Sequence, residues 1–171
     1  MEARKKNELY RNWIKQRNNY ENCFLLREHL KERRIMVRPI VRDPIFLQQK
    51  SEPATKSDQQ IIVDLLDTLK AHLDRCVGMA ANMIGEKKRI IAFENGPFLM
   101  VMVNPVITSR TGEYQAEEGC LSLDGVRSCT RYQEIEVDFL DQNFQKKHGK
   151  FSGYTAQIIQ HEIQHFSGEL I

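Results

Sequence analysis

Apolar residues recur along this chain at different spacings, and each spacing predicts a different element. Within residues 1–34, Leu9, Trp13, Tyr20 and Phe24 fall near four-residue intervals among charged positions, which predicts helix broken or kinked at Asn18-Asn19. Residues 37–56 carry Pro39, Pro44 and Pro53 and are expected to be extended and irregular. A helix is predicted next, with Ser57 as its cap and Gln60 three positions on, as in a capping box. Its apolar stripe is Ile62, Leu65, Leu66, Leu69, Leu73 and Cys76, and His72 beside that stripe reads as structural.

The middle of the chain changes to strand character. Residues 89–93 and 98–104 are short apolar runs separated by the turn signal Asn95-Gly96-Pro97. Residues 134–140 alternate, with Ile135, Val137 and Phe139 on one face and Glu134, Glu136 and Asp138 on the other, as in a half-buried antiparallel strand. Asn143 and residues 146–150 read as a solvated turn with His148 exposed. A last helix is predicted over 153–166, closed by Gly168. Tyr154, Ile158, His161 and His165 share one face of it, and Ala156, Ile159, Ile163 and Phe166 lie near another. A helix apolar on two sides belongs in a core, so its histidines must be buried and partnered. There are no internal repeats.

Composition adds bounds. With 171 residues, 41% hydrophobic and 28% charged, the chain reads as one soluble globular domain plus an extension. No apolar run approaches the roughly 18 residues of a membrane span and no signal-peptide core stands at the N-terminus, so the expected location is cytoplasmic. Cys23, Cys76, Cys120 and Cys129 are then expected as free thiols or metal ligands. Charge is divided unevenly: residues 1–35 hold ten Lys/Arg and five Glu, a net of +5, and the remainder is net −3. That remainder gives no sign of a DNA-binding surface. The basic segment reads as an accessory helical layer, as a docking surface for an acidic partner such as ribosomal RNA, or as an addition upstream of a native start at Met36. An exposed apolar face on residues 9–24 would favour a weak dimer over a monomer.

Residues 161–165 read HEIQH, two histidines four apart on one helix face with a glutamate beside them. A metal there needs a third protein ligand, and only six residues follow His165, so the ligand is expected upstream. Cys120, in the stretch EGCLS, is the best candidate, because a thiolate with two imidazoles suits a divalent transition metal. Taken alone, Cys120 would read as a buried structural thiol. With both motifs the expected set is Cys120, His161 and His165 with one coordination position open, the mark of a catalytic site.

Three motifs in order, VGMAANMIG (77–85), EGCLS (118–122) and QHEIQH (160–165), resemble those of the peptide deformylases. The likeness extends from VRPIVRDPIFL at 37–47 to residue 170 and excludes 1–35. It implies an α+β fold with mostly antiparallel β-sheets packed around a central C-terminal HExxH helix, a catalytic domain over 36–171 and a basic helical extension over 1–35. The implied activity is metal-dependent removal of the N-formyl group from formyl-methionine of nascent polypeptides. Glu162 would be the base, and the backbone N–H of Leu121 would face the developing oxyanion. Val77, Gly78, Glu118, Gly119, Tyr154 and Ile158 would form the substrate pocket. Arg127 would lie nearby, or would instead pair with an acidic residue. Fe²⁺ is the implied physiological metal, with Zn²⁺, Ni²⁺ or Co²⁺ accepted by the same ligands.

The sequence also departs from the family. Met83 stands where the family's first motif has glutamine, and a thioether cannot donate a hydrogen bond. Asn82 carries an amide one position earlier, which in an extended segment would point the other way. Cys76 replaces a glycine, and Gln164 replaces the usual aspartate. These changes leave open a second reading, a deformylase-like protein with little turnover that binds formyl peptides or associates with the ribosome.

Overall fold

Residues 35–170 are described in the computed structural model, so the predicted helical face of Leu9, Trp13, Tyr20 and Phe24 and the thiol of Cys23 lie outside the described residues. A five-stranded antiparallel sheet runs in chain order: β1 (Gly78–Ala80), β2 (Ile90–Asn95), β3 (Phe98–Cys120), β4 (Leu123–Leu140) and β5 (Lys146–Ser152). Among the described residues the α-helices are α1 (Pro44–Leu47), α2 (Gln59–Ala71) and α3 (Gly153–Gln164), the last continuing into a 3₁₀ turn at His165–Ser167.

Strand β2 explains why its sequence is a continuous apolar run rather than an alternating one. Ile90 and Ala92 join a cluster with Ile62, Leu65 and Leu69 of α2, while Ile91 and Phe93 join another with Ile158 and Ile159 of α3. A helix thus covers each face of the sheet at this strand. Leu65 and Leu69 are fully buried, and each such side chain contributes about 1.5–3 kcal/mol of transfer free energy.

The structure corrects several sequence expectations. The proline-rich stretch contains one helical turn, α1, because Asp43 Oδ1 accepts from the Ile45 N–H at 3.0 Å and Pro44 occupies a first-turn position that needs no donor. The second helix is entered through Thr55 and not Ser57: the Thr55 N–H donates to Asp58 Oδ2 at 2.7 Å across a 3₁₀ turn, and Gln60 Nε2 donates instead to Asp64 Oδ1 at 2.8 Å. Helix α2 ends at Ala71, so Leu73 is 38% exposed and Cys76 is buried beyond the helix rather than on its stripe. His72 is structural in its contacts, with Nδ1 2.8 Å from the Thr68 carbonyl. The stretch expected as a turn over 146–150 is strand β5, which pairs with β4 from Leu140↔Lys146 to Glu134↔Ser152. Its polar sequence fits an edge strand, where lysines and exposed side chains discourage pairing with other chains. His148 is exposed as expected and bonds Asp138 at 2.7 Å.

Two contacts fix α3 against the sheet and the chain after it. The Gln160 amide pairs with Tyr132 of β4 as a backbone would, accepting from its N–H at 2.9 Å and donating to its carbonyl at 2.9 Å. Gly168, at φ +79°, closes the helical run, and a Cβ there would lie 2.1 Å from the Gln48 carbonyl oxygen, so only glycine fits.

Candidate metal centre

Cys120 closes β3, His161 lies in the last turn of α3, and His165 opens the 3₁₀ turn that continues it, one turn further on. The helix spacing puts both imidazoles on the face turned toward the strand end. A register shift between Glu118 and Cys120 interrupts the β3–β4 ladder there, as bulges do where a side chain is re-aimed. The donor atoms of Cys120, His161 and His165 lie within 4.8 Å of one another, with Cys120 Sγ 3.5 Å from His165 Nε2. Metal–sulfur and metal–nitrogen bonds of about 2.0–2.3 Å at tetrahedral angles require ligand atoms about 3.3–3.6 Å apart, so this donor set fits a divalent ion with little movement.

Glu118 organises the centre. Its Oε1 accepts from Arg131 Nε at 2.9 Å and Gln157 Nε2 at 2.8 Å, and its Oε2 contacts Arg131 Nη2 and His161 Nδ1, each at 2.7 Å. All four acceptor positions of the carboxylate are therefore filled. Burial opposes ionisation of Glu118, but the His161 and Arg131 contacts outweigh it and hold its pKa well below the usual carboxylate range. A carboxylate on Nδ1 orients the ring and leaves Nε2 as the ligating atom. Burial works to lower the His161 pKa, yet hydrogen bonds to Cys120 and Glu118 raise it to about 10. Burial lowers His165 to about 3, so that ring is neutral. Metal uptake thus has a proton on His161 to displace.

Glu162 lies next to the donor set and is only 3% exposed. Burial raises its pKa to about 7, and its Oε2 has no hydrogen-bond partner among the described residues. The room it occupies depends on Gly78, where a Cβ would stand 2.7 Å from Glu162 Oε1 and 2.6 Å from Ile158 Cγ2.

A cavity of about 300 Å³ opens beside these residues. Of the sequence-predicted positions, Val77, Gly78, Glu118, Gly119, Tyr154 and Ile158 line it, as do Leu121 and Cys120. Arg127 does not: it is half-buried and donates to the Asp124 carbonyl at 3.2 Å. Arg127 is the direct cross-strand neighbour of Glu118, but the ion pair comes from Arg131, four residues along the same strand. Sequence reasoning missed Arg131 and Gln157. The available signal was that a carboxylate beside a buried ligand needs a cation, and two arginines on one face of β4 could supply it.

The first motif also differs from expectation. Residues Ala81–Ile84 form a 3₁₀ turn and not an extended segment. Met83 lines the cavity, while the buried Asn82 side chain reaches the His165 carbonyl at 3.4 Å. Cys76 has no positive φ and so carries no backbone strain; its thiol donates to the Gly78 carbonyl at 2.8 Å.

Residues 37–171 match the polypeptide deformylase family. The chain belongs to that family. It is 57% identical over 136 residues to a peptide deformylase of Clostridium beijerinckii, covering 80% of this chain and 100% of that relative. It is 42% identical to a peptide deformylase of Pelotomaculum thermopropionicum over 73% of this chain and 82% of the relative. The peptide deformylase structure of Thermus thermophilus superposes with a TM-score of 0.71 at 33% identity, covering 79% of this chain and 84% of that one. The α+β fold implied by the motifs is the fold of this family, and deformylases are metal-dependent hydrolases.

Replacing Arg131 with methionine should strand the buried Glu118 carboxylate and destabilise the metal-free protein by about 3–5 kcal/mol in chemical denaturation. In the wild type, Glu118 has a depressed folded pKa, so its contribution is present above the ordinary Glu value of about 4.3 and is lost as pH falls below it toward the folded value. Unfolding free energies measured from pH 7 downward should show that loss in the wild type and a shallower one in Arg131→Met.

Proposed function

We propose that this deformylase hydrolyses the formamide of N-formylmethionyl nascent peptides at one divalent metal held by Cys120, His161 and His165. The observation that carries the reading is the thiol and two imidazoles gathered beside Glu162, whose Oε2 has no hydrogen-bond partner among the described residues, with Cys120, His161 and Glu162 lining one cavity. A bound metal supplies Lewis acidity at the scissile group. Glu162, with its pKa near 7, takes a proton from the attacking water and returns it to the leaving amine nitrogen. The N–H of Leu121 faces the developing oxyanion. Val77, Gly78, Tyr154 and Ile158 receive the methionine side chain, and Gly119 lies on the strand edge that the peptide follows. Glu118 acts by orienting His161 rather than by touching peptide.

Fe²⁺ is the metal proposed in the cell, and the same donors accept Zn²⁺, Ni²⁺ or Co²⁺. Among the described residues no helix is long and apolar enough to cross a membrane. The cytoplasm, where nascent chains emerge, is the proposed location. Residues 1–35 are proposed as an accessory basic segment that contacts the ribosome, attached to a catalytic domain over 36–171 in a monomer or weak dimer.

The direct test is formate release from a formyl-Met peptide by anaerobically purified, iron-loaded protein. Glu162→Ala should keep one metal per chain and lose turnover; unchanged turnover would remove Glu162 from the chemistry. Formyl-peptide binding without formate from the loaded wild type would favour the non-catalytic reading.

Met83 sets the rate of that reaction. It lines the cavity where a side-chain amide would complete the oxyanion site, and Asn82 is turned toward His165. Met83→Gln should therefore raise kcat/KM by about 10-fold or more, mainly through kcat, out of the 10²–10³ that such a donor supplies. An efficient wild type that glutamine does not improve would mean that another donor fills the site.

A further inference from the structure

We propose that Gln164 and Glu169 form an outer positioning relay that holds Arg131 against Glu118 and so fixes the imidazole of His161 at the metal. The proposal rests on the metal-centre reading above and concerns residues beyond its ligands.

Arg131 is a cation only 3% exposed, and its donors are spent on three partners. Nε and Nη2 bind Glu118 at 2.9 and 2.7 Å, and Nη1 donates to the Thr130 carbonyl at 3.1 Å and to Gln164 Oε1 at 2.8 Å. Gln164 then donates through Nε2 to the Glu169 carboxylate. The hydroxyl of Ser167 stands 3.0 Å from the other Glu169 oxygen. Gly168, in its left-handed conformation, turns the chain so that Glu169 reaches back to the helix. The result is a directed chain: carboxylate 169, amide 164, guanidinium 131, carboxylate 118, imidazole 161.

An amide is the side chain suited to the middle of this chain, because it presents an acceptor to the cation and a donor to the second anion. An aspartate at 164, usual in the family by the motif resemblance, would bind Arg131 directly and repel Glu169. A leucine would leave Nη1 with one fewer partner. Hydrogen bonds in series polarise one another, so the Glu169 charge strengthens the hold of Gln164 on Arg131. Arg131 and His161 share one carboxylate, so slack in the guanidinium is transmitted to the ring.

The test uses the full chain loaded with Co²⁺, whose dissociation into excess chelator and visible absorption report the ligand set without any turnover. The removal of partners behind a metal ligand typically costs 10–100-fold in affinity, so Gln164→Leu should speed cobalt loss by about 10-fold and Glu169→Ala by about 3–10-fold. Both should shift the absorption bands. Glu169 is exposed, so Glu169→Ala should leave the melting temperature of the metal-free protein almost unchanged. Adding Gln164→Asp to Glu169→Ala should restore wild-type dissociation to within about 2-fold, since a carboxylate then meets Arg131 without an intermediary. Unchanged rates and spectra in both single variants would overturn the relay. So would acceleration by Glu169→Ala that Gln164→Asp does not rescue, which would indicate loosening of the chain end instead. Failure of the wild type to take up cobalt would overturn the metal-centre reading and the relay with it, and is distinguished by appearing before any substitution.

Discussion

One buried carboxylate constrains the rest of this molecule. Glu118 lies at the end of β3 and is bonded by Arg131 from β4 and by Gln157 and His161 from α3. An ionised carboxylate in an interior is tolerated only if its acceptor positions are filled, and leaving one empty costs more than the pair itself contributes. Those four bonds can form together in only one mutual placement of two strands and a helix. Apolar packing of Ile158 and Ile159 against β2 brings α3 to the sheet, but packing alone tolerates rotation and sliding. The Glu118 contacts select the placement in which Cys120 Sγ stands 3.5 Å from His165 Nε2.

The parts legible in the sequence were those in which one physical demand dominates. A helix apolar on two faces must lie in a core, and α3 does; the short apolar run over 89–93 reads as strand, and β2 begins within it at Ile90. The three ligand-type residues could be named because a metal needs soft or nitrogen donors and few were available. What escaped reading depends on partners distant in the chain. Strand β5 is polar because one side faces water, so only its pairing with β4 reveals it. Arg131 and Arg127 share composition and face, and the twist of two long strands decides which of them meets Glu118. The capping pair at Thr55 and Asp58 could not be told from Ser57 and Gln60 by residue type, since either pair satisfies the same rule.

The first motif shows how a conformational detail changes a chemical inference. Had residues 81–84 been extended, Asn82 and Met83 would point to opposite sides and either could be argued toward the cavity. The 3₁₀ turn sends Asn82 toward the His165 carbonyl, just past the end of α3, and leaves the Met83 thioether on the cavity wall. Gly78 on β1 has the complementary role, since its missing side chain is the space into which Glu162 and Ile158 fit. Proton accounting follows from the same geometry. Burial raises the Glu162 pKa to about 7, and the raised pKa of His161 leaves on that ring a proton that a metal must replace.

X-ray absorption at the metal edge of the zinc-loaded protein tests the ligand assignment most directly. One sulfur at about 2.3 Å and two imidazole nitrogens at about 2.0–2.1 Å, with one lighter oxygen scatterer, are expected. Cys120→Ser should remove the sulfur shell and leave both imidazoles. A zinc shell without sulfur in the wild type, or a sulfur shell that survives Cys120→Ser, would contradict a centre built from Cys120, His161 and His165.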